Sequence, residues 1–170
     1  MFSRELALRA LRDAGCSDQV IQHCIAVERM AMNIAKKIRK NGHDIDLRFV
    51  SMGALLHDIG RAKTHGVEHG VVGAEMLRKM GLGKFAKFVE IHIGAGIPAA
   101  EARELGLPAR DFMPRTLEEK VVTYADKRIS RKREISYEEA VKWFKTEFGK
   151  DHPSVGRFEA LHSEIKKLMD

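Results

Sequence analysis

The chain is poor in most of the residues that announce a specialised architecture. Its 170 residues include 2 cysteines, 4 prolines, 2 tyrosines and 1 tryptophan. Two cysteines are too few for a disulfide framework. Cys16 and Cys24 read as buried thiols in a reducing compartment rather than as a bridge. No apolar run reaches the roughly 18–20 residues that a membrane-spanning helix needs. Met1-Phe2-Ser3-Arg4-Glu5 brings an acid early and has no apolar stretch behind it, which predicts no secretory signal and a cytoplasmic location. Alternating apolar patterns of the strand type are missing, as are internal repeats. A long basic block is missing too, although 30 Lys and Arg against 24 Asp and Glu give a net charge of +6 and a pI near 9.4. Such a balance attracts phosphate esters and nucleic acids, but the charge reads as spread over solvated helix faces.

What remains is helix. Hydrophobic residues make up 44% and charged residues 32%, enough apolar surface for one domain over residues 1–170. Ser3 can cap a first helix to about Asp13, closed by Gly15. Ser17 or Asp18 can cap a long second helix to about Lys40, whose Val20, Cys24, Val27, Ala31, Ile34 and Ile38 keep three-and-four spacing. Asp46 can cap a third. After an irregular stretch from Ile59 to His65, helices are expected near Glu68–Met80, Lys84–His92 and, briefly, Ala99–Glu104. Thr116 with Glu119 and Ser136 with Glu139 are capping-box patterns. They open helices to about Ser130 and Phe148, and a last helix follows Pro153. The expectation is an all-α domain of seven or eight helices. Its core covers residues 18–130, with helices of residues 136–170 packed onto it.

The chemistry concentrates in the histidines, eight in all, five of them between His43 and His92. In Leu55-Leu56-His57-Asp58-Ile59-Gly60 an apolar helix runs into adjacent His and Asp, then into a Gly that can turn the chain. Burying that pair costs free energy unless something binds it, and a divalent metal accepts imidazole nitrogen and carboxylate oxygen together. Adjacent helical residues point about 100° apart, so the two converge on one ion only near a helix end. A helix C-terminal His favoured by the dipole is the plain alternative. Asp126 sits in the apolar string Val121-Val122-Thr123-Tyr124-Ala125-Asp126-Lys127, where an acid is rare unless paired or bound to metal. His23 lies upstream on the long second helix. His43, His152 and His162 read as surface residues.

The order His23, His57-Asp58, Asp126 resembles the H…HD…D signature of the HD superfamily, and His57–Gly60 with Tyr124-Ala125-Asp126-Lys127 is similar to its HDIG-type members. The resemblance covers roughly residues 18–130. It implies a helical, metal-dependent phosphohydrolase in which His23, His57, Asp58 and Asp126 hold one divalent metal. It further implies a second site, with His69 and His92 as ligands and Asp58 bridging. One departure concerns this second set: Ile93-Gly94 follows His92, where many two-metal members carry a His pair or polar residues. The GYP motif of the cyclic-dinucleotide branch is missing, which disfavours that substrate class.

The reading this supports is hydrolysis of a phosphomonoester or phosphodiester, of a nucleotide in the first place, with a metal-activated water as nucleophile. Mixed His and carboxylate ligands suit Mn, Fe, Co, Ni or Zn, with Mg also open, at one or two ions per chain. Asp58, His69 and Arg61 are the catalytic candidates, His69 sharing the proton work where one metal is present. Arg61, Lys63, His65 and Lys127 are candidates for holding substrate, Arg61 through its guanidinium fork. The Pro- and Gly-rich stretch from Gly94 to Arg115 is a candidate wall or lid, with Arg110 or Arg115 reaching inward. Two rival functions stand beside this one. The first is a metal-stabilised module that binds nucleic acid or protein through Lys127–Arg133, a string equally readable as a solvated helix end. The second is a di-iron oxygenase.

Overall fold

The computed structural model describes residues 3–170; Met1 and Phe2, the start of the segment expected to lack a secretory signal, lie outside the described residues. Nine α-helices run through it: α1 (Arg4–Ala14), α2 (Asp18–Lys40), α3 (Leu47–Leu56), α4 (His69–Lys79), α5 (Ala86–Ile91), α6 (Ala99–Glu104), α7 (Leu117–Lys127), α8 (Tyr137–Phe148) and α9 (Pro153–Met169). The fold is all-α as expected; the nine helices among the described residues match the nine segments foreseen one by one, one more than the seven or eight expected for the domain. The polar starts foreseen in the sequence act as caps. Ser3, Ser17 and Asp46 accept backbone N–H groups, and Thr116–Glu119 and Ser136–Glu139 form complete capping boxes.

The centre is α2 against α3, with α7 packed on both and α9 packed on α7 and α2. Along α2, Ile21, Cys24, Val27, Ala31, Ile34 and Ile38 are buried at helical spacing. They meet Val50, Ala54 and Leu55 of α3 and Val121, Val122 and Ala125 of α7 in one apolar cluster, which Phe144 of α8 and Phe158 of α9 extend. A small second cluster of Ile97, Ala102, Leu107 and Phe112 organises the Pro- and Gly-rich connection.

Two expectations need correction. The helix containing Asp126 does not reach Ser130. It ends at Lys127 and passes into a two-stranded hairpin, β1 (Ile129–Ser130) and β2 (Arg133–Glu134). Arg128 closes this hairpin twice, its carbonyl accepting from Ile135 N at 2.9 Å and its Nε donating to Ile135 O at 2.7 Å. These non-local bonds, with Ile129 buried, override the helical propensity of the basic string. The second correction is Gly60. It does stand in the turn that follows α3, but it is absent from the positive-φ glycines, so the turn's backbone is not what requires a glycine. An added Cβ would collide with His69 O and lie 2.9 Å from Gly73 N. Gly60 is there to let the 3₁₀ turn Ile59–Ala62 touch α4 backbone to backbone, which seats the start of α4 beside His57-Asp58.

Candidate metal centre

Five elements deliver six side chains to one place. His23 comes from α2. His57 caps the C-terminus of α3, and Asp58 follows at φ −106° and ψ 14°, already out of the helix. That exit is why neighbours in sequence can face one point. His69 opens α4, His92 caps α5, and Asp126 lies in the last turn of α7. All but His23 are buried.

Asp58 is central. Its Oδ1 lies 3.2 Å from His69 Nε2 and 3.3 Å from His92 Nε2; its Oδ2 lies 3.8 Å from both His23 Nε2 and His57 Nε2. Asp126 Oδ1 closes the second side, 2.9 Å from His23 Nε2 and 3.3 Å from His57 Nε2. One carboxylate thus stands between two histidine pairs. Two groups have the compactness of a metal site: His23, His57 and Asp126, and His57, Asp58 and His92.

The other ring nitrogens decide what these atoms are. His57 Nδ1 meets Ala54 O at 2.7 Å, His69 Nδ1 meets Gly66 O at 2.7 Å, and His92 Nδ1 meets Val89 O at 2.8 Å. His23 Nδ1 meets Arg131 O at 2.6 Å. A carbonyl only accepts, so each Nδ1 carries the proton and donates it, and each neutral ring turns an Nε2 lone pair inward. Four such lone pairs then face two carboxylates. His69 and His92 Nε2 stand 3.0 Å apart, and His57 Nε2 is buried without a hydrogen-bond partner. A buried nest of acceptors is unfavourable unless a cation sits among them. This donor set, oriented from behind by backbone carbonyls, fits a divalent transition metal.

The electrostatics show the same demand for positive charge at the cluster, which a proton on His57 meets where a metal does not. Burial opposes ionisation of Asp58, but His57, His69 and His92 outweigh it and hold the carboxyl well below its usual range. Burial likewise opposes Asp126, and Lys127, His57 and His23 outweigh it in the same direction. Burial pushes His92 down to about 4, keeping it in the neutral form that ligates. At His57 burial is overcome by Asp58, Cys24 and Asp126, which raise it. The pull that draws a proton there acts equally on a metal cation.

A cavity of about 690 Å³ opens onto the cluster, and one of about 380 Å³ adjoins it. Arg61 and Lys127 sit at the first, each engaged with a carboxylate. Arg61 Nε is 3.0 Å from both Asp58 oxygens, and Lys127 Nζ is 2.6 Å from Asp126 Oδ2. His65 is exposed and lines the smaller cavity, whereas Lys63 is exposed and lines neither. The connection after His92 does form a wall, through Ile93 and Gly94, but its arginines do not reach inward. Arg110 grips the buried Glu90 together with Arg78, and Arg115 stays exposed beside Asp111. His43 is exposed as expected. His152, the N-cap of α9, and His162 are both half-buried; the His162 ring stacks on Tyr137 at 3.7 Å and its Nδ1 shares a hydrogen bond of 2.7 Å with Tyr124 OH.

Sequence reasoning missed two contributions. The hairpin inside the basic string supplies the Arg131 carbonyl that orients His23, held by a left-handed Arg131 at φ 56°. Helix α8 supplies a cavity wall of Glu139, Lys142, Trp143, Thr146 and Phe148. The signal for the second was present, since the single tryptophan sits between Lys142 and a buried Phe144.

An all-helical frame whose ordered His and Asp residues converge in this way defines a class, and comparison with known proteins gives it a name. The HD domain model matches residues 20–130, and the chain belongs to the HD domain family. An uncharacterised protein of Methanocaldococcus jannaschii is 47% identical over 166 residues, covering 97% of this chain and 98% of that protein. A protein of Picrophilus torridus named tRNA (cytidine(56)-2'-O)-methyltransferase is 38% identical over 162 residues, 95% of this chain but 46% of that protein. Ribonuclease Y of Cutibacterium acnes is 41% identical over 66 residues, 37% of this chain and 11% of that protein. The chain therefore spans less than half the length of the relatives whose names carry an activity.

Proposed function

We propose that the chain is a metal-dependent phosphohydrolase acting on a phosphoester carried by RNA or a nucleotide. His23, His57, Asp58 and Asp126 would hold one metal, and His69 and His92 would hold a second that shares Asp58. The observation that carries this reading is the set of four Nε2 lone pairs aimed at two carboxylates. When bound, a divalent ion supplies a water acidic enough to give hydroxide near neutral pH, and neutralises charge building on the phosphoryl oxygens. The residues supply the rest. The backbone carbonyls fix each imidazole, Asp58 spans the two histidine pairs, and Arg61 and Lys127 hold positive charge at the mouth for the phosphoryl group. His69 either completes the second metal or takes the proton work beside a single one, and the metal count decides which. The names of the relatives, a tRNA methyltransferase and a ribonuclease, favour RNA over a free nucleotide. Methyl transfer is not carried over, because the matched region is under half of that methyltransferase.

The test begins with elemental analysis of protein purified without chelator, for wild type and for His57→Ala combined with Asp58→Ala. One or two transition-metal equivalents are expected in the wild type, and a loss of both metal and p-nitrophenyl phosphate turnover in the variant. No metal in either protein, even after incubation with Mn, Co or Ni, would sink the hydrolase. A second reading, an RNA-binding module with a structural metal, draws support from the same relatives, in which this region is one part of a longer chain. Wild-type metal content with no turnover on any phosphoester, together with RNA binding that falls steeply with salt, would favour it.

A further inference from the structure

The wall that α8 presents to the main cavity differs from the rest of the surface. Trp143 is 48% exposed and Phe148 38% exposed, yet both line the cavity that contains Asp58, His69, His92 and Asp126. Neither ring is loose. Trp143 packs edge-on against Phe144 at 5.3 Å and Phe148 at 5.7 Å, and Phe148 stacks on His152 at 5.4 Å. Leaving an indole in water forgoes the burial that large aromatics usually find in the core. Around the rings stand three cations, Lys127, Arg133 and Lys142, and one acid, Glu139, which pairs with Arg133 at 3.3 Å. Phe148 also lines the adjoining cavity, so the aromatic wall continues from one space into the next.

Resting on the phosphohydrolase reading, we infer that α8 is the substrate-selecting wall, with Trp143 and Phe148 as a stacking platform for an unpaired nucleobase. The base would belong to the phosphoester held at the His–Asp cluster. With the phosphoryl group at the metal ligands, the organic part of the ester must occupy the remaining cavity, and there it meets aromatic faces rimmed by positive charge. That combination of stacking surface and cationic groove is how proteins hold single-stranded nucleic acid. A base paired in a duplex offers no free face to it.

The chain's single tryptophan makes the test direct, because all tryptophan emission reports on Trp143. The 170-residue chain is mixed with adenosine 5'-monophosphate, ribose 5-phosphate, a single-stranded tetra-adenylate, or a double-stranded RNA, and emission is read within the mixing time. Saturable quenching is expected with the two unpaired-base probes and none with ribose 5-phosphate or duplex. Tighter binding of the tetranucleotide than of the monophosphate assigns the base to an RNA end, and the reverse order to a free nucleotide. Titration calorimetry of Trp143→Ala should then show roughly tenfold or greater weakening for the base-bearing probes, with most of the affinity regained in Trp143→Phe. Equal affinity for adenosine 5'-monophosphate and ribose 5-phosphate would overturn the platform. So would sedimentation showing a dimer that Trp143→Ala dissociates, since a second copy would then cover the wall. Loss of metal-dependent p-nitrophenyl phosphate turnover with quenching intact would fail the hydrolase and spare the platform.

Discussion

At the scale of single residues, the tightest constraint is on a glycine. Gly60 has no room for a methyl group, because the atoms in the way are the His69 carbonyl and the Gly73 amide, both backbone. Backbone cannot swing aside as a side chain can, so the 3₁₀ turn and α4 must part. Gly60→Ala should lose about 3 kcal/mol, the upper end of overpacking costs, and should lose metal with it, since His69 moves with α4. A urea midpoint and metal content equal to wild type would show that the contact yields more easily than its geometry says. The cysteines allow a second prediction. Burial pushes the Cys16 thiol up to about 12 and raises Cys24 as well, and both are free. A thiolate is the reactive form. In the native protein both thiols should therefore label far more slowly at neutral pH than in denatured protein, and rapid stoichiometric labelling would contradict their burial.

At the scale of elements, the C-terminal helices show how a polar pair can tie two helices together. Arg128 donates to Tyr124 OH at 2.7 Å, and Tyr124 OH in turn shares a hydrogen bond with His162 on α9. Burial first, then Arg128 and Lys166, lowers the His162 pKa from its ordinary 6.5. The folded state thus prefers the neutral ring. As pH falls below about 6.5 the unfolded chain takes up the proton first, and stability is lost from there downward. Wild type should lose stability faster than His162→Gln between pH 7 and 5, read as urea midpoints at each pH; parallel curves would remove His162 from the account. His162 was taken for a surface residue because helical periodicity says which face is apolar, not which polar group finds a partner across an interface. The caps were legible, since Ser, Thr or Asp followed by an acid is a local code. The hairpin at residues 129–134 was not, because the bonds that hold it join Arg128 to Ile135 in a stretch whose composition suits a helix end.

At the scale of the whole molecule, the sequence carried the identity of the cluster better than its construction. His57-Asp58 and Asp126 stood out as polar residues inside apolar runs, a contrast visible without coordinates. The carbonyls of Ala54, Gly66, Val89 and Arg131 that fix the four tautomers are backbone atoms, and no residue type announces them. The α8 wall left one local trace, the single tryptophan beside Lys142, but its approach to the cluster is made only through tertiary packing. These two features meet in one consequence. The fold holds four imidazole lone pairs and two carboxylates together with main-chain anchors from α3, the loop before α4, α5 and the hairpin, so the repulsion among them falls on the whole fold. A metal that binds the assembled cluster and not the unfolded chain stabilises by mass action, by about 2.7 kcal/mol at a hundredfold excess over Kd. For a chain of this length, each kcal/mol moves the melting midpoint by about 2–4 °C. Stripping the protein with chelator should therefore lower Tm by on the order of 5–10 °C, and Mn, Co, Ni or Zn should restore it. His57→Ala should abolish the response while leaving α1 to α9 intact by circular dichroism. A midpoint indifferent to chelator and metal in the wild type would mean that the cluster is satisfied by protons alone, and the metal centre would fall with it.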